Sequence, residues 1–111
     1  ELRLRIEGER TRKARVIVLL ETSQQLMADG YITAPINSNA TALLRETLQL
    51  DPANEKALAL LNECAQRLAD IAQEAYEYDL QVKAKEYLDL ALTINPDVSA
   101  WIALREKWGD S

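Results

Sequence analysis

Ala40-Thr-Ala-Leu-Leu-Arg-Glu-Thr-Leu-Gln-Leu-Asp-Pro52 returns 44 residues later, without a gap, as Ala84-Lys-Glu-Tyr-Leu-Asp-Leu-Ala-Leu-Thr-Ile-Asn-Pro96. Overlaid, the two stretches pair Ala40 with Ala84, Leu43 with Tyr87, Leu44 with Leu88, Leu48 with Leu92, Leu50 with Ile94 and Pro52 with Pro96. Apolar residues recur at spacings of three and four, which gathers them on one stripe of a helix. Such a stripe has to be covered, so each copy reads as one half of a helical hairpin.

Working outward, the match continues past the prolines, where Ala57-Leu58-Ala59-Leu60 corresponds to Trp101-Ile102-Ala103-Leu104. Asp51-Pro52 is expected to end one helix and open the next, with Asp51 supplying a capping oxygen and Pro52 at a first helical position, where it loses no hydrogen bond. A long helix over 53–78 follows, with a broad apolar side that includes Ala57, Leu61, Cys64, Leu68, Ala72 and Ala75. That width exceeds a coiled-coil seam and asks for neighbours on two flanks. Tyr78-Asp79 reads as a short turn, 80–94 as the second copy's helix, and Asn95-Pro96 as the same stop-and-start device. Ala100, Trp101, Leu104 and Trp108 line a last helix ending near Gly109.

Upstream, residues 31–38 hold Pro35 and β-branched residues and read as a loop whose Tyr31 and Ile32 tuck under the hairpin, with Asn37 or Ser38 capping a helix over about 39–50. Val16, Leu19, Leu20, Ser23, Leu26 and Met27 mark a helix from Glu9 to Gly30, where glycine favours a left-handed cap. Leu2, Leu4 and Ile6 alternate like a short strand that stops at Gly8.

Composition agrees with a helical chain. Of 111 residues 48% are apolar, with three Gly, three Pro and no Phe, as suits helices, in which Gly and Pro are costly. The net charge of −5 is uneven: residues 1–15 carry six Lys/Arg and three Glu, a local +3, which leaves −8 for residues 16–111. An acidic body argues against a nucleic-acid partner, since phosphate contacts need clustered Lys and Arg. The cluster Arg10, Arg12, Lys13, Arg15 reads as a solvated helix face, with an anionic-membrane or nucleic-acid arm as the alternative. The longest apolar run, Val16 to Leu20, is far short of the ~20 residues that cross a bilayer, so no membrane insertion by this segment is expected. A chain that begins at Glu1, with no visible signal peptide, reads as a piece of a longer protein.

Ala84, Leu88, Ala91 and Pro96 resemble the tetratricopeptide repeat, in which a small residue, a large one four positions on, a small one three further and a closing Pro shape the second helix of a hairpin. Ala40, Leu44 and Pro52 follow the same pattern, with Thr47 in the second small position. The first helices depart from it: the family's Trp, Leu-Gly and Tyr positions fall at Gln24, Met27-Ala28 and Tyr31, then at Leu68, Ile71-Ala72 and Ala75. The 44-residue period also exceeds the usual 34. The resemblance implies an all-α fold, a five-helix tetratricopeptide-like superhelix of two hairpins and a C-terminal capping helix. Residues 1–111 would form a single domain, with repeat 1 over about 9–52, repeat 2 over about 53–96 and the capping helix over about 97–108. Similar stretches occur in bacterial envelope and signalling proteins, which points to a bacterial source and an envelope-associated (periplasmic) or cytoplasmic setting.

No signature of catalysis stands beside this scaffold. Without His, Ser-His-Asp and Cys-His nucleophile systems are excluded. A lone Cys64 cannot build a thiolate cage and reads as a small core residue. Glycines at 8, 30 and 109 are too scattered to cradle phosphate. Glu74 with Glu77 and Glu86 with Asp89 have a spacing that a cation site would use, but on a helix such pairs read as solvated faces. No enzyme activity, cofactor or metal is therefore expected. The resemblance implies a protein-interaction scaffold that binds a peptide or helix of a partner, with Gln24, Asn62, Gln66, Arg67 and Trp101 as candidate partner contacts. The alternative is self-association, including a homodimer, with the N-terminal helix and the Trp101/Trp108 helix packing on a second copy; otherwise the tryptophans close the end of the core.

Overall fold

The structure, a computed structural model, describes residues 2–34 and 39–109, with side chains from Arg10 onward. The described residues form an all-α chain of five helices, α1 (Leu2–Ala28), α2 (Ala40–Leu50), α3 (Glu55–Glu77), α4 (Gln81–Ile94) and α5 (Ser99–Trp108), with no strand among them. The strand expected around Leu2, Leu4 and Ile6 is thus corrected to helix. One glycine inside a helix costs only about 1 kcal/mol relative to Ala, and α1 runs through Gly8 without interruption. Leu2 and Ile6 also stand four residues apart, the helical spacing.

Helix ends are set by local chemistry. At the end of α1 Gly30 adopts φ 86°, its N–H donates to the Met27 carbonyl at 3.1 Å, and the Tyr31 N–H reaches back to Leu26 at 2.8 Å. This paired arrangement ties off carbonyls that the helix leaves open. The same pair of bonds closes α3, from Asp79 to Tyr76 at 3.0 Å and from Leu80 to Ala75 at 2.9 Å. There the left-handed residue, at φ 63°, is Asp79.

Two caps differ from expectation. Asn39 caps α2, its side chain accepting from the Ala42 N–H at 2.8 Å, whereas Asn37 and Ser38 lie outside the described residues. Asn54, not Asp51, caps α3: its Oδ1 accepts from the Ala57 N–H at 2.8 Å, and its Nδ2 donates to Asp51 Oδ2 at 3.1 Å. Asp51 instead closes α2, its N–H donating to the Thr47 carbonyl. Pro52 therefore sits in the connecting turn and not at a first helical position. Asn54 takes the cap because its amide carries acceptor and donor together, serving the helix and the turn at once.

The chain comprises two compact units, Glu1–Leu61 and Asn62–Ser111, whose boundary falls within α3. In the first, α2 packs against α1, burying Ala40, Leu44 and Thr47 on α2 and Val16, Leu19, Leu20 and Met27 on α1. Ser23, fully buried, satisfies its hydroxyl on the Leu19 carbonyl at 2.6 Å. Arg15 pairs with Glu46 at 3.1 Å across the two helices. Backbone bonds from Ala40 to Tyr31 and from Thr41 to Ile32 tie the start of α2 to residues 31 and 32. Ile32 is buried as expected, while the Tyr31 side chain is half exposed.

In the second unit the 62–77 part of α3 and α4 form an antiparallel hairpin. The turn at 78–80 joins them at one end, and at the other Asn95 Nδ2 donates to Asn62 Oδ1 at 2.8 Å. α5 packs on α4, with Arg105 Nε donating to Asp89 Oδ1 at 2.8 Å. Its last residue, Trp108, reaches back to Tyr76 at the end of α3. Cys64, Ala65, Leu68, Ala69, Ala72, Ala84, Leu88 and Ala91 are buried, so Cys64 takes the core position its neighbours imply.

Burial follows the sequence match position by position. Ala40 and Ala84, Leu44 and Leu88, and Thr47 and Ala91 are each 0% exposed, and Ala57 and Trp101 are both buried. Burying a leucine of this kind stabilises by about 1.5–3 kcal/mol. A leucine thus occupies the middle of these three core positions in each copy and small residues flank it.

Candidate interaction surface

The residues nominated from the sequence fall in different settings. Gln24 is exposed on α1, in the first unit. On α3, in the second unit, Asn62 and Gln66 are exposed and Arg67 half-buried, and each is engaged within the chain. Asn62 accepts from Asn95, Gln66 donates to Asp70 at 2.9 Å, and Arg67 pairs with Glu63 at 3.2 Å. Trp101, by contrast, is a core residue, 6% exposed. The structure brings Asn62, Gln66 and Arg67 together on successive turns of one helix. Their polar groups are engaged with Asn95, Asp70 and Glu63.

The apolar surface lies elsewhere. At the far end of the α3–α4 hairpin, Tyr78 is 72%, Leu80 55% and Val82 71% exposed. Beside them Ile71, Ala75, Leu80 and Tyr87 line a cleft of about 350 Å³, with Glu74 and Lys83 at its edge. Turns normally present polar residues to water, so three large apolar side chains across one turn form a patch of the kind that marks contact sites. This signal was present in Tyr78-Asp79-Leu80-Gln81-Val82, though a reading of those residues as a turn passes over it. Lys83 pairs with Glu86 at 3.5 Å, which leaves acidic groups dominant around the patch: Asp70, Glu74, Glu77 and Asp79, with no Lys or Arg from 68 to 82.

In the first unit a groove of about 470 Å³ runs beside α1, lined by Val16, Ile17, Leu20, Leu50 and Pro52, with Arg12 and Lys13 at its rim and Asp51 and Asn54 at its end. Ile17 and Val18 are more than half exposed. All residues from Arg10 to Arg15 are exposed.

The described residues include no group of three or more His, Cys, Asp or Glu placed to hold a metal ion, and no helix among them is long and apolar enough to cross a membrane. What the surface offers chemically is apolar area edged by charge. Comparison of the chain with protein-family models, with curated proteins and with solved structures finds no match.

Proposed function

We propose that this chain is a non-catalytic protein-interaction module built on tetratricopeptide-like hairpins, which holds a helix or extended segment of a partner protein. The observation that carries the reading is the paired burial of Ala40 with Ala84, Leu44 with Leu88, Thr47 with Ala91 and Ala57 with Trp101. Two copies of one hairpin design in a short chain are the economy of a repeat scaffold, in which like units cover each other's apolar faces and leave a broad surface for recognition. The exposed apolar side chains at the hairpin tip and the basic-rimmed groove support it further, because apolar area with a charged border is where partners dock.

A photo-activatable side chain placed in turn at Gln24, Gln66, Ile17 and Tyr78 of the full chain, in its native cell, tests the proposal. Discrete cross-linked species at one or more positions, resolved by mass, are the expected result. If irradiation yields no protein adduct at any of the four, the interaction reading fails.

A further inference from the structure

The two apolar surfaces carry opposite charge. Along α1 the stretch from Arg10 to Arg15 holds four cations and no acid; Arg15 pairs with Glu46, and Arg12 and Lys13 line the groove with Val16, Ile17 and Leu50, with Asp51 as the one acid in the lining. Around the 78–80 turn the stretch 70–79 holds four carboxylates and no cation, and Tyr78, Leu80 and Val82 project from it into solvent. An apolar groove that carries Arg12 and Lys13 and an exposed apolar patch set among carboxylates are complementary in charge. Apolar contact supplies affinity in such a pairing, while charge sets register and encounter.

We propose that the occupant of the α1 groove is the hairpin tip of a second copy of this chain, with Tyr78 and Leu80 seated on Ile17 and Leu50, and with Glu77 and Asp79 facing Arg12 and Lys13. The proposal rests on the interaction-module reading and names the partner. Groove and tip are different surfaces, so each contact joins the groove of one copy to the tip of another, and the pairing either closes reciprocally as a two-fold dimer or continues to rings and chains. The body's net negative charge opposes this growth except where the basic stretch meets the acidic one, so the contact weakens as salt screens it.

Sedimentation velocity over a wide range of concentration tests this with three forms of the full chain. The natural chain is expected to show concentration-dependent dimers or larger species, diminished by salt. A groove variant, Ile17→Ser with Lys13→Glu, and a tip variant, Tyr78→Ser with Leu80→Ser, alter exposed side chains, and circular dichroism checks that both stay helical. Each alone is expected to weaken association about tenfold or more, as central contacts do. Mixed together, they are expected to form a one-to-one pair that stops there, since only one intact groove and one intact tip remain. A natural chain that stays monomeric throughout, a dimer indifferent to either variant, or a mixture that does not pair would each overturn the proposal. If the chain is monomeric while the cross-linking experiment captures a different protein, the second-copy partner is wrong and the module reading stands. No adduct of any kind removes both.

Discussion

Tyr76 and Trp108 stack nearly parallel, with ring centroids 4.6 Å apart and planes 7° from each other, so the last residue of α5 is held on the last full turn of α3. Stacked rings add about 0.5–1.5 kcal/mol beyond their buried area. The contact gives Trp108 a partner within its own unit, and Trp101 is buried, which matches the reading in which the tryptophans close the core. A double-mutant cycle with Tyr76→Leu and Trp108→Leu, read by chemical denaturation, is expected to return a coupling of about 0.5–1.5 kcal/mol. A coupling near zero would show that the rings merely lie side by side.

Asp79 does with a side chain what Gly30 does without one. Both residues take positive φ and close a helix with the same pair of backbone bonds. A left-handed conformation costs a non-glycine residue about 1–2 kcal/mol, and a carboxylate at a helix C-terminus meets the unfavourable end of the dipole. Asp79→Gly is therefore expected to stabilise the chain by about 1 kcal/mol, and Asp79→Asn by somewhat less. Gly30→Ala is expected to destabilise by about 1 kcal/mol or more through the backbone alone, since a Cβ there would meet nothing within 4 Å. Thermal melts of the three variants check the signs.

Leu44 and Leu88 are equivalent in sequence and equally buried, so truncating either to Ala is expected to cost about 2–5 kcal/mol. Thr47 and Ala91 are equivalent too, and the second copy shows that alanine satisfies the position. Thr47 Oγ1 donates to the Leu43 carbonyl of its own helix at 2.8 Å, and alanine has the better helix propensity, by about 0.5 kcal/mol. Thr47→Ala is expected to be near neutral despite complete burial. Denaturant midpoints that rank Thr47→Ala beside Leu44→Ala would refute the equivalence of the copies.

Asn54 joins α3 to the turn before it through two side-chain bonds. Loss of such a cap costs about 0.5–2 kcal/mol, and Asn54→Ala is expected to fall in that range. Pro52→Ala is expected to change stability less, because Pro52 does not start the helix. Hydrogen exchange at the Ala57 amide gives a local check: protection there should drop in Asn54→Ala and hold in Pro52→Ala.

Helix identity was readable from residue order because the spacing of Leu44, Thr47 and Leu48, or of Leu88, Ala91 and Leu92, is a local property that any neighbour would exploit. The glycine cap at Gly30 was legible for the same reason, as was Cys64 in the core. The choice of Asn54 over Asp51 was not, since several polar residues stood within reach and the turn geometry selects one of them. Residues with little periodicity fared worst: Leu2, Leu4 and Ile6 carry too few positions to tell a period of two from one of 3.6.

The candidate surface was the least legible part. Asn62, Gln66 and Arg67 follow from the resemblance, which lines the concave side with polar residues of first helices, and the partners they take within the chain, Asn95, Asp70 and Glu63, come from packing. Whether Ile17 and Tyr78 are covered or bare depends on what lies beside them from distant parts of the chain. Apolar character is a property of the residue and can be read one letter at a time. Exposure is a property of the packed neighbourhood and comes into being only when the helices meet.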